Sequence, residues 1–330
     1  MSVFPDLRLR RLRRTESLRR MFDLPLPGPE KFMWPVFVRA GENEKEAIES
    51  MPEQFRWSVD RLPEAMDNLL EQGVRSLLVF GLPDDGDKDA TGKSAASDDG
   101  VVQEAVRAVV EQYPEITVFT DVCVCAYTEH GHCGPLDAEG AVDNDAANEV
   151  LAKVAVSHAR AGAHGVAPSA MMDGQVMALR MALDEADLKD EIIMSYSSKF
   201  ASAMYGPFRD AEKSSPQEGD RKGYQAPYGD LKQALRESRM DEDEGADILM
   251  VKPSLFYLDI IARVEAETDL PLAAYNVSGE YSMLIATAER GFGDLGEMVR
   301  ESTTALVRAG TDIVISYWAS RYEEIFGRSR

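Results

Sequence analysis

Two lysines end two predicted strands that are neighbours in the fold, and both are candidates for a reactive amine. Lys252 closes the apolar run 248–251, and Lys199 follows the run 194–198. A lysine that points toward a second lysine in a poorly hydrated site is disfavoured as an ammonium, so its pKa falls and its amine becomes nucleophilic. Such an amine can form a Schiff base with a carbonyl compound. The alternative is that both side chains extend to solvent at the rim of the fold.

The three cysteines of the chain, Cys123, Cys125 and Cys133, lie within eleven residues of one another. They supply three soft ligands and leave the fourth position of a tetrahedral zinc site open, as in a catalytic zinc site. Alternatively, His130 or His132 closes the site, or acts through hydrogen bonds to the ligands. An odd number of cysteines in a tight cluster argues against disulfide bonds and favours a reducing compartment, so we expect a cytoplasmic protein.

A segment rich in glycine and proline separates the two lysines. Seven glycines and prolines between positions 205 and 229 are too many for a helix, and the segment is too long for an ordinary connection. We therefore predict a mobile lid, 204–229, that closes over a site. Its Arg209 and Arg221 carry planar guanidinium groups suited to clamping a carboxylate. A solvated insertion is the alternative.

Short apolar runs alternate with longer amphipathic stretches along the rest of the chain. Eight strands in this alternation, with no linker between them, predict an α/β fold, a (β/α)8 TIM barrel. A doubly wound open sheet is the second choice, because no G-x-G-x-x-G follows the first strand. The predicted strands are 33–39, 74–82, 116–124, 165–169, 192–198, 247–252, 272–277 and 312–318, and the predicted helices are 59–72, 100–112, 144–161, 175–184, 231–244, 255–267, 282–289, 295–308 and 320–326.

The carboxyl ends of the strands in such a barrel surround one opening, and the chemistry of the fold takes place there. Polar and reactive side chains stand at six successive strand ends of the prediction. The sequence therefore places a candidate site at the barrel mouth. The residues are Asp121, Cys123 and Cys125 on the third strand, Ser169 on the fourth, Lys199 on the fifth, Lys252 on the sixth, Ser278 on the seventh and Tyr317 on the eighth.

An arginine-rich segment precedes the barrel. Seven arginines lie between positions 8 and 20, followed by a proline-rich stretch, without the apolar core of a secretion signal. We interpret residues 1–30 as an extended N-terminal arm for subunit association and residues 31–330 as the catalytic barrel. A disordered basic tail is the alternative.

The chain is strongly acidic: 36 Lys and Arg against 58 Asp and Glu give a net charge of −22. This excess argues against a nucleic-acid partner, which needs a basic face, and no apolar stretch is long enough to span a membrane. The basic residues are 11 Lys and 25 Arg. Low lysine with high acid suggests a halophilic-type surface adapted to molar salt, where screening relieves self-repulsion. An ordinary acidic cytosolic protein is the alternative.

Five segments of the chain together resemble the porphobilinogen synthase (5-aminolevulinate dehydratase) family. They are 121–134, 195–202, 205–211, 250–253 and 275–281, and the similarity runs from the arm to Tyr317. The three cysteines resemble those of the zinc-dependent type. The resemblance implies a hydro-lyase that condenses two 5-aminolevulinate molecules asymmetrically to porphobilinogen, with loss of two waters, in tetrapyrrole (heme, siroheme and cobalamin) biosynthesis.

The resemblance also implies roles for individual side chains. Lys252 forms the Schiff base that commits the chemistry, and Lys199 holds the other substrate in the same way. The carboxylate of one substrate contacts Arg209 and Arg221 of the lid, and that of the other contacts Ser278 and Tyr317 at the seventh and eighth strand ends. The substrate amine contacts Asp121 and Ser169 at the third and fourth strand ends. The substrate-binding residues so implied are Asp121, Ser169, Arg209, Arg221, Gln225, Ser278 and Tyr317.

Metal and assembly follow from the same resemblance. A catalytic zinc is expected on the three cysteines, and an allosteric magnesium on Glu237 at a subunit boundary. Members assemble through their arms into homo-oligomers, most commonly octamers. Two alternatives stay open: a class I Schiff-base aldolase, which needs one lysine and no zinc, and a zinc-sensing or structural protein with inert lysines.

Overall fold

Eight parallel strands close into a barrel in the computed structural model of the chain, which describes residues 7–327. Around the barrel these strands follow one another in chain order, and the last pairs with the first through Val314 and Phe32. The predicted (β/α)8 barrel is thus confirmed. The barrel strands are β1 (Phe32–Arg39), β4 (Ser76–Leu82), β5 (Thr117–Val122), β6 (Gly165–Pro168), β7 (Ile192–Lys199), β8 (Ile248–Lys252), β9 (Leu272–Asn276) and β10 (Ile313–Ser316).

Helices cover the outside of the barrel, and aspartates begin several of them. The side chains of Asp143, Asp230 and Asp294 accept hydrogen bonds from backbone N–H groups in the first turns of the helices that follow them, and these N–H groups otherwise lack partners. The helices are α1 (Glu16–Arg20), α2 (Leu62–Glu71), α3 (Val101–Gln112), α4 (Asn144–Arg160), α5 (Gln175–Glu185), α6 (Gly206–Glu212), α7 (Leu231–Asp243), α8 (Leu258–Glu265), α9 (Ser278–Glu289), α10 (Leu295–Arg308) and α11 (Tyr322–Phe326).

Two short strands outside the barrel were not predicted. β2 (Lys45–Ala47) and β3 (Phe55–Ser58) form an antiparallel pair, and β3 continues the sheet beside the end of β1. β2 is three residues long and largely exposed, so it has no apolar alternation to predict it. The pair matters for the site because Arg56 of β3 reaches the lid.

The lid contains a helix, contrary to the prediction of a segment without one. α6 begins at Gly206, and Pro207 is tolerated in its first turn because that turn needs no N–H from it. Arg56 donates hydrogen bonds to the carbonyl oxygens of Asp210 and Ala211, both at 2.7 Å, and so satisfies the last turn of α6. The remaining glycines and prolines of the lid follow this helix.

Five predicted strand-end residues lie just beyond their strands, among them Ser169, which follows the last residue of β6, Pro168. β5 ends at Val122, so Cys123 and Cys125 belong to the following loop. Ser278 is the first residue of α9, which begins there because the Glu280 carboxylate accepts from the Val277 N–H. Tyr317 likewise opens a 3₁₀ helix (Tyr317–Arg321), whose N-cap is Ser316.

The described part of the arm makes little contact with the barrel. Residues 7–26 are exposed apart from Leu18, and they form a 3₁₀ turn (Leu9–Arg13) and α1. The Tyr322 hydroxyl donates to the Pro27 carbonyl oxygen, where the chain joins the barrel. Large apolar side chains are exposed along the arm: Leu7, Leu9, Leu12, Met21, Phe22, Leu24 and Leu26. Residues 1–6 lie outside the described part.

The acidic side chains lie mostly on the surface. Among the carboxylate residues of 7–327, only Glu212 and Glu280 are buried. No helix in that range is both long and apolar enough to cross a membrane.

This surface gives a testable expectation for salt. Because like charges repel across a surface and molar salt screens them over roughly 3 Å, we expect the melting temperature to rise steadily as KCl increases to molar concentration. Differential scanning fluorimetry across KCl measures this. A melting temperature that does not change with KCl would contradict salt adaptation.

Candidate active site

The two lysines meet at the mouth of the barrel. Lys199 ends β7, Lys252 ends β8, and the two residues are direct partners in the register of these strands. Both are buried, with relative exposures of 6% and 4%. The Lys199 ammonium donates to the Ser169 carbonyl oxygen at the end of β6. The alternative of side chains extended to solvent is therefore wrong.

An irregularity in β7 arranges this strand for the site. Its register with β8 shifts between Ser195 and Ser198. Both of these serines face α7, where they bond to Asp241 and Ser238. β7 thus contains one more residue than β8 over this stretch, and Tyr196 and Lys199, three positions apart, both face the barrel interior. In a regular strand, where side chains alternate between the two faces, these two residues would face opposite sides.

Aromatic rings surround the amine of Lys252. Its Nζ lies 4.1 Å from the ring centroid of Tyr275 and 4.9 Å from those of Tyr196 and Phe208. The rings of Tyr205 and Phe80 follow at 5.6 and 6.0 Å. We call the space enclosed by these five rings the aromatic chamber. Tyr205 and Phe208 belong to the predicted lid, so this segment covers Lys252 in the structure.

Burial lowers the pKa of Lys252 to about 7, and the positive charge of Lys199 acts in the same direction. Near pH 7 about half of such amines are free, whereas an amine of pKa 10.5 is free in only about 0.03% of molecules. The chamber thus supplies a nucleophilic amine at neutral pH.

We expect the capture of a keto acid by Lys252 to follow this ionisation. The amine is protonated below its pKa, so reductive labelling of Lys252 with cyanoborohydride should rise from about pH 6 to about pH 8, with a midpoint near 7. Mass spectrometry of the labelled peptide measures it. A midpoint above about 9 would show that Lys252 ionises like a free lysine.

The lowered pKa of Lys252 also affects stability. The folded state binds fewer protons than the unfolded state between about pH 7 and 10.5, so this group makes the free energy of unfolding rise with pH in that window.

Asp121 and Ser169 lie beside the lysines. The Ser169 hydroxyl donates to Oδ2 of Asp121 at 3.0 Å, while Oδ1 is buried and has no hydrogen-bond partner. Burial raises the pKa of Asp121, although Lys199 and Lys252 oppose that shift. The free oxygen is a ready acceptor for an amine of a bound ligand.

The three thiols form a buried group in the loop after β5. Their sulfur atoms all lie within 4.8 Å of one another, and those of Cys123 and Cys125 are 3.4 Å apart. Hydrogen bonds from these two thiols lower the pKa of Cys133 well below its usual value. Three convergent sulfur atoms, one of them stabilised as thiolate, fit a soft or borderline metal ion.

Neither histidine belongs to this group of ligand atoms. His132 bonds through Nδ1 to the Tyr224 hydroxyl at 3.2 Å and through Nε2 to the Glu218 carbonyl oxygen at 3.0 Å. His130 Nε2 lies 3.2 Å from the Ala90 carbonyl oxygen. These hydrogen bonds do not go to the cysteines: His132 links the cysteine loop to the lid, and His130 links it to the segment that contains Ala90.

The two lid arginines differ in their surroundings. Arg221 is buried and donates to the carbonyl oxygens of Gly131 and Ser214, at 2.9 and 2.5 Å, so it ties the lid to the cysteine loop. Arg209 is less buried, and its Nε is enclosed without a partner. Nε of Arg221 is also unpartnered. Both side chains thus retain donors for an anionic ligand.

The remaining predicted ligand contacts are buried near the lid. Ser278 Oγ accepts from the Phe208 N–H at 2.9 Å, and the Tyr317 hydroxyl lies 3.0 Å from that of Tyr275. Gln225 is buried, and its Oε1 has no partner. These positions border the same aromatic chamber or the lid that closes it.

Glu237 lies elsewhere, on α7. It lines a cavity of about 970 Å³ together with Asp173 and Gln225, and the two lysines do not line that cavity. Burial raises its pKa. The structure therefore separates the proposed magnesium position from the lysines.

Sequence reasoning missed Tyr196 and Glu212. Tyr196 is fully buried between the two amines, and its position inside the barrel depends on the irregular register of β7, which has no sequence signal. Glu212 ends α6 and accepts from the Cys125 thiol at 3.4 Å. Burial raises the pKa of Glu212 to about 7. Because Glu212 is one of several charged residues in this part of the lid, the sequence gives no indication of its contact with Cys125.

Known proteins resemble the chain over almost its whole length. The model of the delta-aminolevulinic acid dehydratase family matches residues 6–325. Proteins named delta-aminolevulinic acid dehydratase are 49% identical in Synechococcus elongatus, over 96% of this chain and 98% of that one, and 47% identical in Archaeoglobus fulgidus, over 98% and 99%. The crystal structure of the Toxoplasma gondii ME49 enzyme, in complex with its product porphobilinogen, superimposes with a TM-score of 0.93 at 38% identity, over 96% of this chain and 90% of that one.

Proposed function

The chain belongs to the delta-aminolevulinic acid dehydratase family, and we propose that it makes porphobilinogen from two molecules of 5-aminolevulinate at the lysine pair described above. The resemblance found in the sequence is confirmed at the level of family, fold and activity class. The observation that best supports the assignment of residues is the buried pair of Lys199 and Lys252, one amine having a pKa of about 7, beside a three-thiol group.

Lys252 starts the chemistry in this proposal. Its free amine adds to the ketone carbon of one substrate, and loss of one water leaves an iminium at Nζ. An iminium withdraws electrons more strongly than a ketone and acidifies the adjacent C–H, which prepares that carbon for bond formation. The five surrounding rings exclude water and thus protect the iminium from hydrolysis.

Lys199 holds the second substrate through an iminium in the same way, and Asp121 binds the amine of that substrate. The unpartnered Oδ1 of Asp121 accepts a hydrogen bond from the substrate amine and can receive a proton from it. Formation of the two iminiums accounts for the two waters lost. The acidified carbon of the substrate on Lys252 then adds to the iminium carbon of the substrate on Lys199, and the amine of the latter adds to the iminium carbon of the former. Each lysine amine leaves in turn, so that the ring closes and both lysines are regenerated. Arg209 and Arg221 bind one substrate carboxylate, whereas Ser278 and Tyr317 bind the other.

The thiol group supports zinc as the metal. Cys123, Cys125 and Cys133 would hold it, and the bound ion would supply a Lewis acid that polarises a substrate carbonyl. Glu237 lines a cavity together with Asp173, and these two carboxylates support an allosteric magnesium there.

Assembly and location complete the proposal. The exposed apolar side chains of residues 7–26 support an arm that packs on a second copy of the chain, and an octamer is the assembly we propose. Light scattering on the full chain tests this. Three buried free cysteines support a reducing, cytoplasmic location.

One assay tests the proposed activity. The chain is incubated with 5-aminolevulinate, with and without zinc and across a range of KCl, and porphobilinogen is measured. We expect product to form with zinc present. Absence of porphobilinogen under all conditions would refute the function.

A further inference from the structure

Glu280 is a buried carboxylate that the chemistry above does not use. It lies in the first turn of α9, and its relative exposure is 0%. The ion pairs of residues 7–327 do not include it. A carboxylate buried without a cationic partner loses its hydration and needs hydrogen-bond donors in place of water. The donors around Glu280 therefore show which segments it holds together.

Five donor groups converge on the two carboxylate oxygens of Glu280. Oε1 accepts from the backbone N–H groups of Ser254 and Leu255, at 3.1 and 2.6 Å. Oε2 accepts from the Ser254 hydroxyl at 3.0 Å, the Asn276 amide at 3.2 Å and the Val277 N–H at 2.9 Å. Each oxygen thus faces N–H groups, which cannot accept a hydrogen bond. A carboxylate satisfies them, whereas the amide of a glutamine would turn its own NH₂ group toward other donors.

These donors lie at the ends of two neighbouring barrel strands. Residues 254–255 follow Lys252, the last residue of β8. Residues 276–277 lie directly before Ser278, the first residue of α9. The backbone pairing between β8 and β9 stops before these four residues. Glu280 therefore joins the two strand ends beyond the point where the sheet joins them.

The same hydrogen-bond network reaches the next strand end. Asn276, which donates to Glu280, also accepts through Oδ1 from the Ser316 hydroxyl at 3.1 Å. Ser316 is the last residue of β10 and lies directly before Tyr317. Glu280 is thus linked to three successive strand ends, which carry the reactive amine and the two hydroxyl groups that the proposed function assigns to one substrate carboxylate.

We propose that Glu280 is a positioning residue that fixes the spacing between the Lys252 amine and the carboxylate contacts Ser278 and Tyr317, and that this spacing selects the length of the keto acid. An iminium forms at Lys252 only if the ketone carbon reaches Nζ while the carboxylate is bound, so a chain of the wrong length meets one requirement and not the other. This inference rests on the proposed function, whose substrate has two methylene groups between its ketone and its carboxylate.

The test compares four full-length proteins: wild type, Glu280→Gln, Ser254→Ala and the control Asp312→Asn. Glu280→Gln keeps the size of the side chain but places an NH₂ group among donors, and Ser254→Ala removes a single donor from the network. Asp312 accepts from the Leu272 N–H at 3.0 Å, so it joins β9 and β10 at the opposite end of the barrel. Circular dichroism and melting temperature establish that each variant is folded.

Three reagents label Lys252 in the presence of cyanoborohydride, and mass spectrometry of the labelled peptide gives each rate. The first is 4-oxopentanoate, which has the substrate's spacing of ketone and carboxylate, and the second is 5-oxohexanoate, which is one methylene longer. The third is formaldehyde, which has no carboxylate to place and so reports the availability of the amine alone.

We expect wild type and Asp312→Asn to react faster with 4-oxopentanoate than with 5-oxohexanoate. In Glu280→Gln the rate with 4-oxopentanoate should fall about 100-fold and the preference should disappear, while the rate with formaldehyde stays the same. Ser254→Ala should show a smaller loss in the same direction, and it decides the question if Glu280→Gln does not fold.

Two results would overturn the inference. One is a wild-type preference between the keto acids in folded Glu280→Gln and Ser254→Ala, and the other is an equal slowing of all three reagents, which a merely structural role predicts. Failure of the proposed function looks different: wild type would then show the preference for 4-oxopentanoate yet form no porphobilinogen from 5-aminolevulinate.

Discussion

We expect replacement of Lys252 by alanine or methionine to lower kcat for porphobilinogen formation by on the order of 10⁴-fold or more, as removal of a covalent nucleophile does in other enzymes. The physical reason is that the amine of Lys252 lies among the five aromatic rings at the end of β8, where burial lowers its pKa to about 7. Methionine keeps the apolar stem of the side chain, so its packing among the rings is retained. Steady-state assays of purified variants measure the effect.

Stability distinguishes a catalytic role from a structural one. A buried amine with a lowered pKa disfavours folding at neutral pH, so Lys252→Met should melt no lower than wild type. The exposed Lys189 is the matched control, and Lys189→Ala should retain full activity. An unfolded Lys252→Met variant, or one with substantial activity, would contradict the assigned role.

Removal of the metal is expected to have the second largest effect. A chelator should reduce turnover by about 100-fold or more, because a Lewis acid supplies several kcal/mol of stabilisation to the reacting carbonyl, and added zinc should restore it. Cys133→Ser should lose activity to a similar extent, since its sulfur is fully buried within the group and its thiolate is the most stabilised. Magnesium added in place of zinc serves as the control and should not restore activity, because magnesium prefers oxygen ligands.

Two results would contradict this account of the thiols. Full activity after exhaustive chelation, in a protein that metal analysis shows to be free of zinc, would mean that the metal has no catalytic role. Wild-type activity and zinc response of Cys133→Ser would mean the same for the cysteine group.

The barrel was predictable because its signals are local. Each strand is a short apolar run, and each helix has apolar residues at helical spacing, so alternation alone identifies eight strand and helix units. β8 is an example: five consecutive buried residues end on Lys252. The family resemblance then depended on motifs at the strand ends, which carry the chemistry.

The features that were missed depend on contacts between distant segments. β3 pairs with the end of β1 and with β2, and its Arg56 satisfies the last turn of α6 more than 150 positions away. Tyr196 faces the chamber only because the register of β7 shifts. Glu212 meets Cys125 across 87 positions. None of these pairings has a periodic or compositional signal in the sequence.

The most direct measurement of the central claim is borohydride trapping in the presence of 5-aminolevulinate, followed by peptide mapping. The two buried amines that meet at the ends of β7 and β8 predict reduced adducts at Lys252 or Lys199, and Lys252→Met should remove the adduct at position 252. A class I aldolase would trap a different carbonyl substrate, and a structural zinc protein would trap none. Absence of an adduct at both lysines, in a protein that still binds 5-aminolevulinate, would contradict the Schiff-base mechanism.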